Sequence, residues 1–487
     1  MKFTSFTDEA KIALGGLADY AADMVNPTIR LGVTGLARAG KTIFISALVH
    51  NLMHGGRLPL LDAYAGGRIK RAYLQPQPDD DVPRFAYEDH VDELTAGVDR
   101  AWPDSTRRIS QLRLTVEFEP EGFFARNVSG GTLNLDIVDY PGEWLLDLPL
   151  LDMTYGEWAA KTLASAQDAP RDKVAKDWLK HLATLDPTAP EDETIARQAA
   201  SVFTDYLKAC REDAFALSTV APGRFLMPGD LDGSPLITFA PLELPSSDAS
   251  APSGSLWAMM ERRYQSYVNR VVKPFFMNHF ARIDRQIVLV DTLAALNAGP
   301  DAVRDLHTAM GDILECFRPG RTSWLNAILG KKVGRVLFAA TKADHLHQSS
   351  HDRLEAIMRE IVDGALARTS AAGAEIDVLA LSSIRATREA TLRQDGEELP
   401  SIIGIPEKGE ILDGETFDGA SEVAIFPGDL PENPKDALKP DAEPGQVRFL
   451  RFRPPVLDDP KSPGAEPSFP HIRLDRALQF LIGDRFA

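Results

Sequence analysis

The stretch at residues 35–42 constrains the fold more than any other part of this 487-residue chain. It reads Gly-Leu-Ala-Arg-Ala-Gly-Lys-Thr, which places two glycines, a lysine and a hydroxyl at the spacing of a phosphate-binding loop, or Walker A motif. Upstream, Ile29, Leu31 and Val33 alternate with polar or small residues as in a strand, and residues 43–52 downstream are apolar enough for a buried helix. The sequence therefore predicts a strand, a loop and a helix whose N-terminus faces a phosphate.

The residues of this loop and of the first helical turn are the predicted phosphate contacts. They are Gly35, Ala37, Arg38, Ala39, Gly40, Lys41, Thr42 and Ile43. The glycines allow successive backbone N–H groups to turn toward the phosphates, and the ammonium of Lys41 is expected to contact the outer ones. The hydroxyl of Thr42 is expected to ligate Mg²⁺.

The charge of the chain excludes some classes of partner. With 53 basic and 71 acidic residues, the net charge is −18 at pH 7, which disfavours broad binding of nucleic acid or anionic lipid. A local basic patch is compatible with this total, so peripheral membrane contact stays open. No apolar run approaches the roughly 18 residues of a membrane span, and residues 1–26 lack the pattern of a signal peptide. We therefore expect a soluble, cytoplasmic protein.

The hydrophobic pattern predicts an α/β fold with a mostly parallel sheet. Residues 112–118 alternate strictly and are followed by a second strand at 133–138, which predicts a hairpin. Continuous apolar runs at 286–291, 333–340 and 376–381 are separated by helical patterns, as in a buried parallel sheet.

The same pattern divides the chain into five parts. We predict an N-terminal helix in 1–27, a first core part at 28–143 with an insertion at 53–105, a helical insertion at 144–282, a second core part at 283–392, and a β-containing extension at 393–487. Residues 246–255 are rich in serine and predict a flexible linker inside the helical insertion.

A second motif, Asp-Tyr-Pro-Gly at 139–142, follows the predicted strand at 133–138. Asp139 is expected to hold Mg²⁺ through water, while the N–H of Gly142 contacts the γ-phosphate. Because Asp-x-x-Gly is common at turns, this motif alone is compatible with a purely structural role.

A third motif, Thr-Lys-Ala-Asp at 341–344, follows the predicted strand at 333–340. The carboxylate of Asp344 can accept two hydrogen bonds from guanine N1 and N2, which adenine does not offer, while the stem of Lys342 covers the ring. By itself Thr341 or Asp344 would equally suit the start of a helix. Backbone at 381–384 is expected to contact the base through either Ser382 or Ser383.

These motifs, in the order phosphate, magnesium, base, resemble those of Ras-like GTP-binding proteins. The chain is also similar to the bacterial YcjX family of stress-induced GTP-binding proteins, in the stretches 35–42, 102–106, 139–147, 284–291 and 341–344. The resemblance implies a Ras-like P-loop core with large helical insertions, GTP or GDP and Mg²⁺ as ligands, and a stress-related role.

Three residues bear on catalysis by such a protein. Thr106 stands where Ras-like proteins have a switch threonine that ligates Mg²⁺, although an ordinary loop hydroxyl fits the sequence as well. Glu143 replaces the glutamine that orients water in many of them; it either accepts a proton from water or caps the next turn. Arg38 lies inside a loop that resembles that of guanylate-binding large GTPases, where arginine acts in cis, and is otherwise a solvated loop residue.

The sequence as a whole predicts a magnesium-dependent GTPase that is slow without a partner and acts as a nucleotide-controlled switch. The helical insertion follows the second switch directly, so we expect it to report the nucleotide state to a protein partner or to a second copy. An ATPase with the same phosphate loop, and a scaffold that binds nucleotide without hydrolysing it, are the alternatives. Asp291 ends a strand and is expected to cap the following segment.

Overall fold

The computed structural model describes most of the chain. The described residues are 27–36, 38–104, 108–121, 131–212, 214–247, 249–316, 333–369, 374–394, 397–441, 450–457 and 467–486. The helix predicted within 1–27, and the predicted site residues Ala37 and Thr106, lie outside these ranges, so those predictions stay predictions.

Among the described residues, seven strands form the main sheet in the spatial order β2-β3-β4-β1-β5-β6-β7. The strands are β1 Thr28–Gly35, β2 Ile69–Gln75, β3 Ser110–Phe118, β4 Thr132–Asp139, β5 Arg285–Val290, β6 Arg335–Ala340 and β7 Glu375–Ala380. Strands β4, β1, β5, β6 and β7 pair in parallel, whereas β3 is antiparallel to both β2 and β4. The predicted α/β fold with a mostly parallel sheet is confirmed, as is the predicted hairpin, which is formed by β3 and β4.

The helices connect and cover these strands. Within the described ranges the α-helices are α1 Lys41–Met53, α2 Asp62–Ala65, α3 Tyr87–Thr95, α4 Tyr155–Ser165, α5 Arg171–Val174, α6 Lys176–Leu182, α7 Glu193–Cys210, α8 Gly223–Leu226, α9 Leu256–Tyr267, α10 Lys273–Asn278, α11 Thr292–Ala298, α12 Pro300–Cys316, α13 His351–Thr369 and α14 Leu474–Ile482. The helical segments of 3₁₀ or π geometry are Gly97–Asp99, Gly142–Asp152, Gly229–Leu231, Pro235–Ile237, Val268–Val272, Phe280–Arg282, Ala343–His345, Gln348–Ser350, Pro434–Leu438 and Gly483–Arg485.

The two faces of the sheet belong to two different cores. Because successive side chains of a strand point to opposite faces, a strand buried on both sides must be apolar throughout. Leu31 and Val33 of β1 lie in one core with Phe44 of α1. Val288 and Val290 of β5 lie in the other core, which also contains the helical insertion. The sheet is therefore covered on both faces, and its strand ends remain available for ligands.

Part of the predicted insertion at 53–105 belongs to the main sheet. Strand β2 lies in this stretch and pairs antiparallel with β3 at the sheet edge. Its sequence, Ile-Lys-Arg-Ala-Tyr-Leu-Gln, alternates poorly because an edge strand with one partner has fewer buried positions. The sequence pattern therefore did not reveal it.

The helical insertion is held together by a cluster of aromatic rings. The ring of Trp158 contacts those of Phe203, Phe239 and Tyr264, with centroid distances of 6.0, 5.5 and 5.2 Å. Such aromatic contacts add to the hydrophobic burial that stabilises the domain.

The segment predicted to be a flexible linker, 246–255, is exposed over most of its described residues but is in contact with the rest of the chain at two points. The carbonyl oxygen of Ser247 lies so close to Gly156 that a Cβ there would approach it to 2.3 Å. At the other end, the hydroxyl of Ser255 accepts a hydrogen bond from the N–H of Ala258 and caps α9. A serine-rich composition is typical of linkers, but it cannot show which backbone groups are packed.

The C-terminal part contains a small antiparallel sheet and a helix. Strands β8 Arg388–Gln394, β9 Glu397–Gly404 and β12 Val423–Ile425 pair in the order β12-β9-β8, and β10 Ile411–Leu412 pairs with β11 Glu415–Thr416. Helix α14 packs in the same core as β1, through Leu478 and Leu481.

Among the described residues, none of the helices has both the length and the apolar character needed to cross a bilayer.

Candidate functional site

The predicted site residues follow strands that end at one edge of the main sheet. The parallel register pairs Val33 with Asp139, and Ala340 with both Val290 and Ala380. In an open α/β sheet, ligands bind at the carboxyl ends of the strands. The sheet thus brings together segments that are up to 350 residues apart in sequence.

The phosphate-binding loop leaves β1 in a turn. The N–H of Leu36 donates to the Leu289 carbonyl of β5 (3.2 Å), and the N–H of Ala39 donates back to the Leu36 carbonyl (3.1 Å). Gly40 has φ of 80°, a left-handed conformation that glycine adopts without steric cost. Its carbonyl accepts the first hydrogen bond of α1, from Phe44 (2.9 Å). The N-terminus of the 13-residue helix α1 therefore lies at the edge of the sheet. Its partial positive charge and unpaired N–H groups favour an anion there.

Arg38 occupies an unusual backbone position in this loop. Its φ is 57°, in the left-handed region that non-glycine residues rarely adopt, and the residue is exposed. Such conformations cost energy and are concentrated at functional sites.

Two of the three predicted magnesium ligands lie among the described residues, on elements that both adjoin the C-terminal end of β1. Asp139, the last residue of β4, is 1% exposed, and Thr42 in the first turn of α1 is 5% exposed. A carboxylate and a hydroxyl are hard oxygen donors of the kind that Mg²⁺ prefers when phosphates supply further ligands. The donor set therefore fits Mg²⁺.

Gly142 lies directly against the phosphate-binding loop. A Cβ at this position would stand 2.3 Å from the carbonyl oxygen of Gly35 and 3.0 Å from the backbone nitrogen of Leu36. Because no real Cβ can approach a carbonyl so closely, only glycine fits here without a backbone shift. The segment after Asp139 is thus coupled to the loop through backbone contact alone.

Residues 341–344 are fixed to the neighbouring strand β5. The backbone N–H and the hydroxyl of Thr341 both donate to the carbonyl of Val290, at 2.9 and 3.2 Å. Lys342 has φ of 59°, and its Nζ lies 2.5 Å from Oδ2 of Asp291. The other oxygen of Asp291 accepts a hydrogen bond from the N–H of Ala294 and caps α11, as the sequence predicted.

Asp344 is buried and held by the segment that follows β7. Its Oδ2 accepts a hydrogen bond from the N–H of Ala386 (2.9 Å), and its carbonyl accepts one from the Thr387 hydroxyl (2.5 Å). In the same segment, the N–H of Ser382 donates to the Ile472 carbonyl (3.1 Å), and the Ser382 carbonyl accepts from the N–H of Ile472 (2.8 Å). The backbone of Ser382 is therefore bound to the C-terminal part of the chain.

One cavity of about 320 Å³ collects most of these residues. Its lining includes Arg38, Ala39, Gly40, Lys41, Thr42, Ile43, Thr341, Lys342, Asp344, Ser382 and Ser383. The volume is that of a small-molecule site. Three separate segments that were predicted to bind phosphate and base thus face the same space.

Sequence reasoning did not find the remaining wall of this cavity. It is formed by Trp102, Pro103, Glu407, Arg451 and Phe452, among others. The indole Nε1–H of Trp102 donates to the carbonyl of Phe452 (2.6 Å), and burial raises the pKa of Glu407. No spacing or motif connects residues 102 and 452, so the sequence carried no local signal for this contact.

Glu143 lies beside the cavity and is paired. Its side chain is 5% exposed, and its Oε1 lies 2.7 Å from a guanidinium nitrogen of Arg211, at the end of α7. The two side chains line a second cavity of about 260 Å³, whose wall also contains Leu36 and Arg38 of the phosphate-binding loop. The structure thus pairs Glu143 with the helical insertion, whereas the sequence allowed a cap of the following turn.

A loop of this geometry, at the carboxyl edge of a mostly parallel sheet and beside a buried aspartate, defines a P-loop nucleotide-binding protein. The comparisons with known proteins agree. The chain belongs to the YcjX-like family, DUF463, whose family model matches residues 29–486.

Two curated relatives are similar over nearly their whole length. One, from Escherichia coli (strain K12), is 37% identical over 479 residues, covering 95% of this chain and 96% of that protein. The other, from Shewanella oneidensis, is 34% identical over 487 residues, covering 94% of each chain. Both are named Ras-like GTPase YcjX.

Proposed function

We propose that this protein binds GTP and GDP with Mg²⁺ and hydrolyses GTP to GDP and phosphate. The observation that carries the proposal is the cavity of about 320 Å³, because it joins the phosphate-binding loop to Lys342, Asp344 and Ser383. The names of the two relatives support the same activity.

The phosphates would lie against the loop and the start of α1. There the N–H groups and the helix N-terminus favour negative charge, and Lys41 would contact the outer phosphates. Thr42 and Asp139, with Thr106 as a third candidate, would hold Mg²⁺, which neutralises phosphate charge when it is bound. The N–H of Gly142 would contact the γ-phosphate.

The base would lie between the Lys342 stem and the segment after β7. The carboxylate of Asp344 is positioned by the N–H of Ala386 and would accept the N1 and N2 hydrogens of guanine. Between the two serines we favour Ser383 as the backbone donor to the base, because the N–H of Ser382 already donates to Ile472. The ion pair with Asp291 fixes the direction of the Lys342 stem.

The preference for guanine is tested with Asp344→Asn. Replacing a charged acceptor by an amide should weaken GTP binding by about tenfold to a hundredfold, the usual worth of a hydrogen bond to a charged group, while xanthosine triphosphate gains affinity. Fluorescence titration with GTP, xanthosine triphosphate and ATP measures both effects. Asp418→Asn is the matched control, since Asp418 also accepts backbone N–H groups but lies outside the cavity lining.

The nucleotide titrations and a phosphate-release assay distinguish a GTPase from an ATPase and from a non-hydrolysing scaffold. If the unmodified protein binds ATP as tightly as GTP, and Asp344→Asn changes neither, the protein is an ATPase or another adenine-nucleotide protein. Phosphate release from the purified protein with GTP and Mg²⁺ distinguishes a GTPase from a scaffold that binds nucleotide without turnover.

For hydrolysis we propose Arg38 as the residue that neutralises charge on the γ-phosphate. It lies within the loop, and a guanidinium there would meet charge that grows as phosphate is transferred. Glu143 would act on the attacking water. We expect turnover to be slow in the absence of a partner.

We further propose that nucleotide state controls the helical insertion. The segment Gly142–Asp152 begins at the glycine beside the phosphate-binding loop and is buried within the insertion's core. A shift of Gly142 on loss of the γ-phosphate would therefore move residues packed in the insertion. A cytoplasmic protein partner or a second copy would read this change, and the stress-related role follows from the family resemblance.

A further inference from the structure

The ion pair of Glu143 with Arg211 connects the segment that follows β4 to the helical insertion. Glu143 directly follows Gly142, whereas Arg211 ends helix α7 of the helical insertion. Both side chains are largely withdrawn from water, with 5% and 16% of their surfaces exposed, and their charged atoms lie 2.7 Å apart.

The pair is fixed from both sides. The C-terminal end of α7 is anchored by buried side chains that include Phe203, Tyr206 and Cys210. On the other side, a Cβ at Gly223 of the insertion would approach the carbonyl oxygen of Glu143 to 2.2 Å, so the two backbones are in direct contact. Neither partner is therefore held by the ion pair alone.

The pair also lies beside the place where the γ-phosphate is expected. It lines the cavity of about 260 Å³ that contains Leu36 and Arg38, and the preceding residue, Gly142, touches the backbone of Gly35. This cavity and the nucleotide cavity share Arg38 and Lys342 as wall residues, so the two spaces adjoin.

A carboxylate at this position has an electrostatic consequence. An unpaired negative charge next to a triphosphate would repel it more strongly than a diphosphate, because the extra phosphate is the nearest one. The penalty grows as a charged side chain is withdrawn from bulk water, and Glu143 is buried. A guanidinium, which stays protonated at every accessible pH, removes that penalty.

We propose that Arg211 is a positioning residue that neutralises Glu143 and orients its carboxylate, so that docking of the helical insertion sets the preference for nucleoside triphosphate over diphosphate. The proposal rests on the proposed nucleotide site. It makes the helical insertion part of the site, because the insertion supplies the balancing charge.

The test compares the affinity for a non-hydrolysable GTP analogue with that for GDP, both with Mg²⁺, in the full-length protein. Arg211→Gln should lower the ratio of triphosphate to diphosphate affinity by about tenfold, a typical coupling within an ion-pair network. Arg211→Lys retains the charge and should recover most of the ratio. Glu143→Gln should shift the ratio in the opposite direction, because it leaves an unbalanced guanidinium near the phosphates.

The double variant Glu143→Gln/Arg211→Gln should return the ratio to that of the unmodified protein, since neither charge remains. Arg171→Gln is the matched control: Arg171 also joins the insertion to the core, through Asp305 at 2.8 Å, but it lies outside both of these cavities. We expect this control to lower thermal stability while leaving the ratio unchanged.

Three results would overturn the proposal: an unchanged ratio in Arg211→Gln, an equal fall in Arg171→Gln, or a double variant as impaired as Arg211→Gln. If Arg211→Gln does not fold, the isosteric Glu143→Gln still decides through the direction of its shift. A failure of the proposed guanine preference would appear separately, as equal affinity of the unmodified protein for ATP and GTP. The ratio would then be measured with adenine nucleotides, and absence of all nucleotide binding would refute both proposals.

Discussion

The backbone contact between Gly142 and the phosphate-binding loop gives a prediction that can be worked from geometry. In Gly142→Ala the new Cβ would stand 2.3 Å from the Gly35 carbonyl oxygen and 2.6 Å from its carbon. Ordinary contact requires the two backbones to separate by about 1 Å, since non-bonded heavy atoms rest well beyond 3 Å apart. Overpacking of this kind costs about 1 to 3 kcal/mol.

The structure provides a control with the same clash in a different place. In Gly156→Ala the Cβ would also stand 2.3 Å from a backbone carbonyl oxygen, that of Ser247 in the helical insertion. Both variants should therefore lose comparable free energy of unfolding in denaturant titrations without nucleotide. Only Gly142→Ala should also lose affinity for a GTP analogue, by about 5- to 150-fold if the whole strain is released by moving the loop.

The same pair of variants tests whether the phosphate and the insertion are coupled. Limited trypsin digestion of residues 144–282 should differ between GDP and GTP-analogue states in the unmodified protein and in Gly156→Ala. In Gly142→Ala the two states should give the same digestion pattern. The reasoning is refuted if Gly142→Ala binds the analogue normally, or if Gly156→Ala weakens binding by the same factor.

Two further predictions concern Arg38 and Asp147. Arg38→Ala should reduce GTP turnover by on the order of 10³ with a much smaller change in GTP affinity. Arg38→Lys is the control that keeps a positive charge at the same backbone position. Unchanged turnover in the alanine variant would contradict the proposed role. Burial raises the pKa of Asp147 to about 6 even though Tyr267 and Gly223 donate hydrogen bonds to its carboxylate. Since the native state then holds this proton more tightly than the unfolded state, Asp147 should reduce stability as the pH rises from about 4 to 6, by about 3 kcal/mol in total. Asp147→Asn should remove this contribution to the pH dependence of the free energy of unfolding, which denaturant titrations at pH 4.5 and 7.5 measure. If the free energy changes equally between the two pH values in both proteins, the proposed titration of Asp147 is wrong.

The parallel strands were predicted because their signals are local. Strands β5 and β6 are short and mostly apolar, as is typical of strands that are buried on both faces, and β7 is apolar and buried over its last three residues. By contrast β2 is an edge strand of mixed polarity, and its place in the sheet is decided by a distant partner, β3.

The site shows the same division. The phosphate-binding loop, Asp139 and residues 341–344 are recognisable because each chemical task needs a few residues at fixed spacing directly after a strand. The proposed preference for Ser383 over Ser382 rests on the hydrogen bond that the Ser382 N–H donates to the carbonyl of Ile472, about 90 residues away. No sequence pattern indicated that Phe452 lines the cavity, because its position there depends on a hydrogen bond from the distant side chain of Trp102.

By itself, the sequence predicted a phosphate-binding loop at residues 35–42 and later motifs in the order expected for a guanine-nucleotide site. Local backbone geometry sets those features, and local geometry is encoded in neighbouring residues. Only the tertiary structure decided that Gly142 touches the loop and that Glu143 is paired with Arg211. Charge balance and close approach depend on groups that folding brings together from distant parts of the chain, so they become visible only when the sheet and the helical insertion are in place.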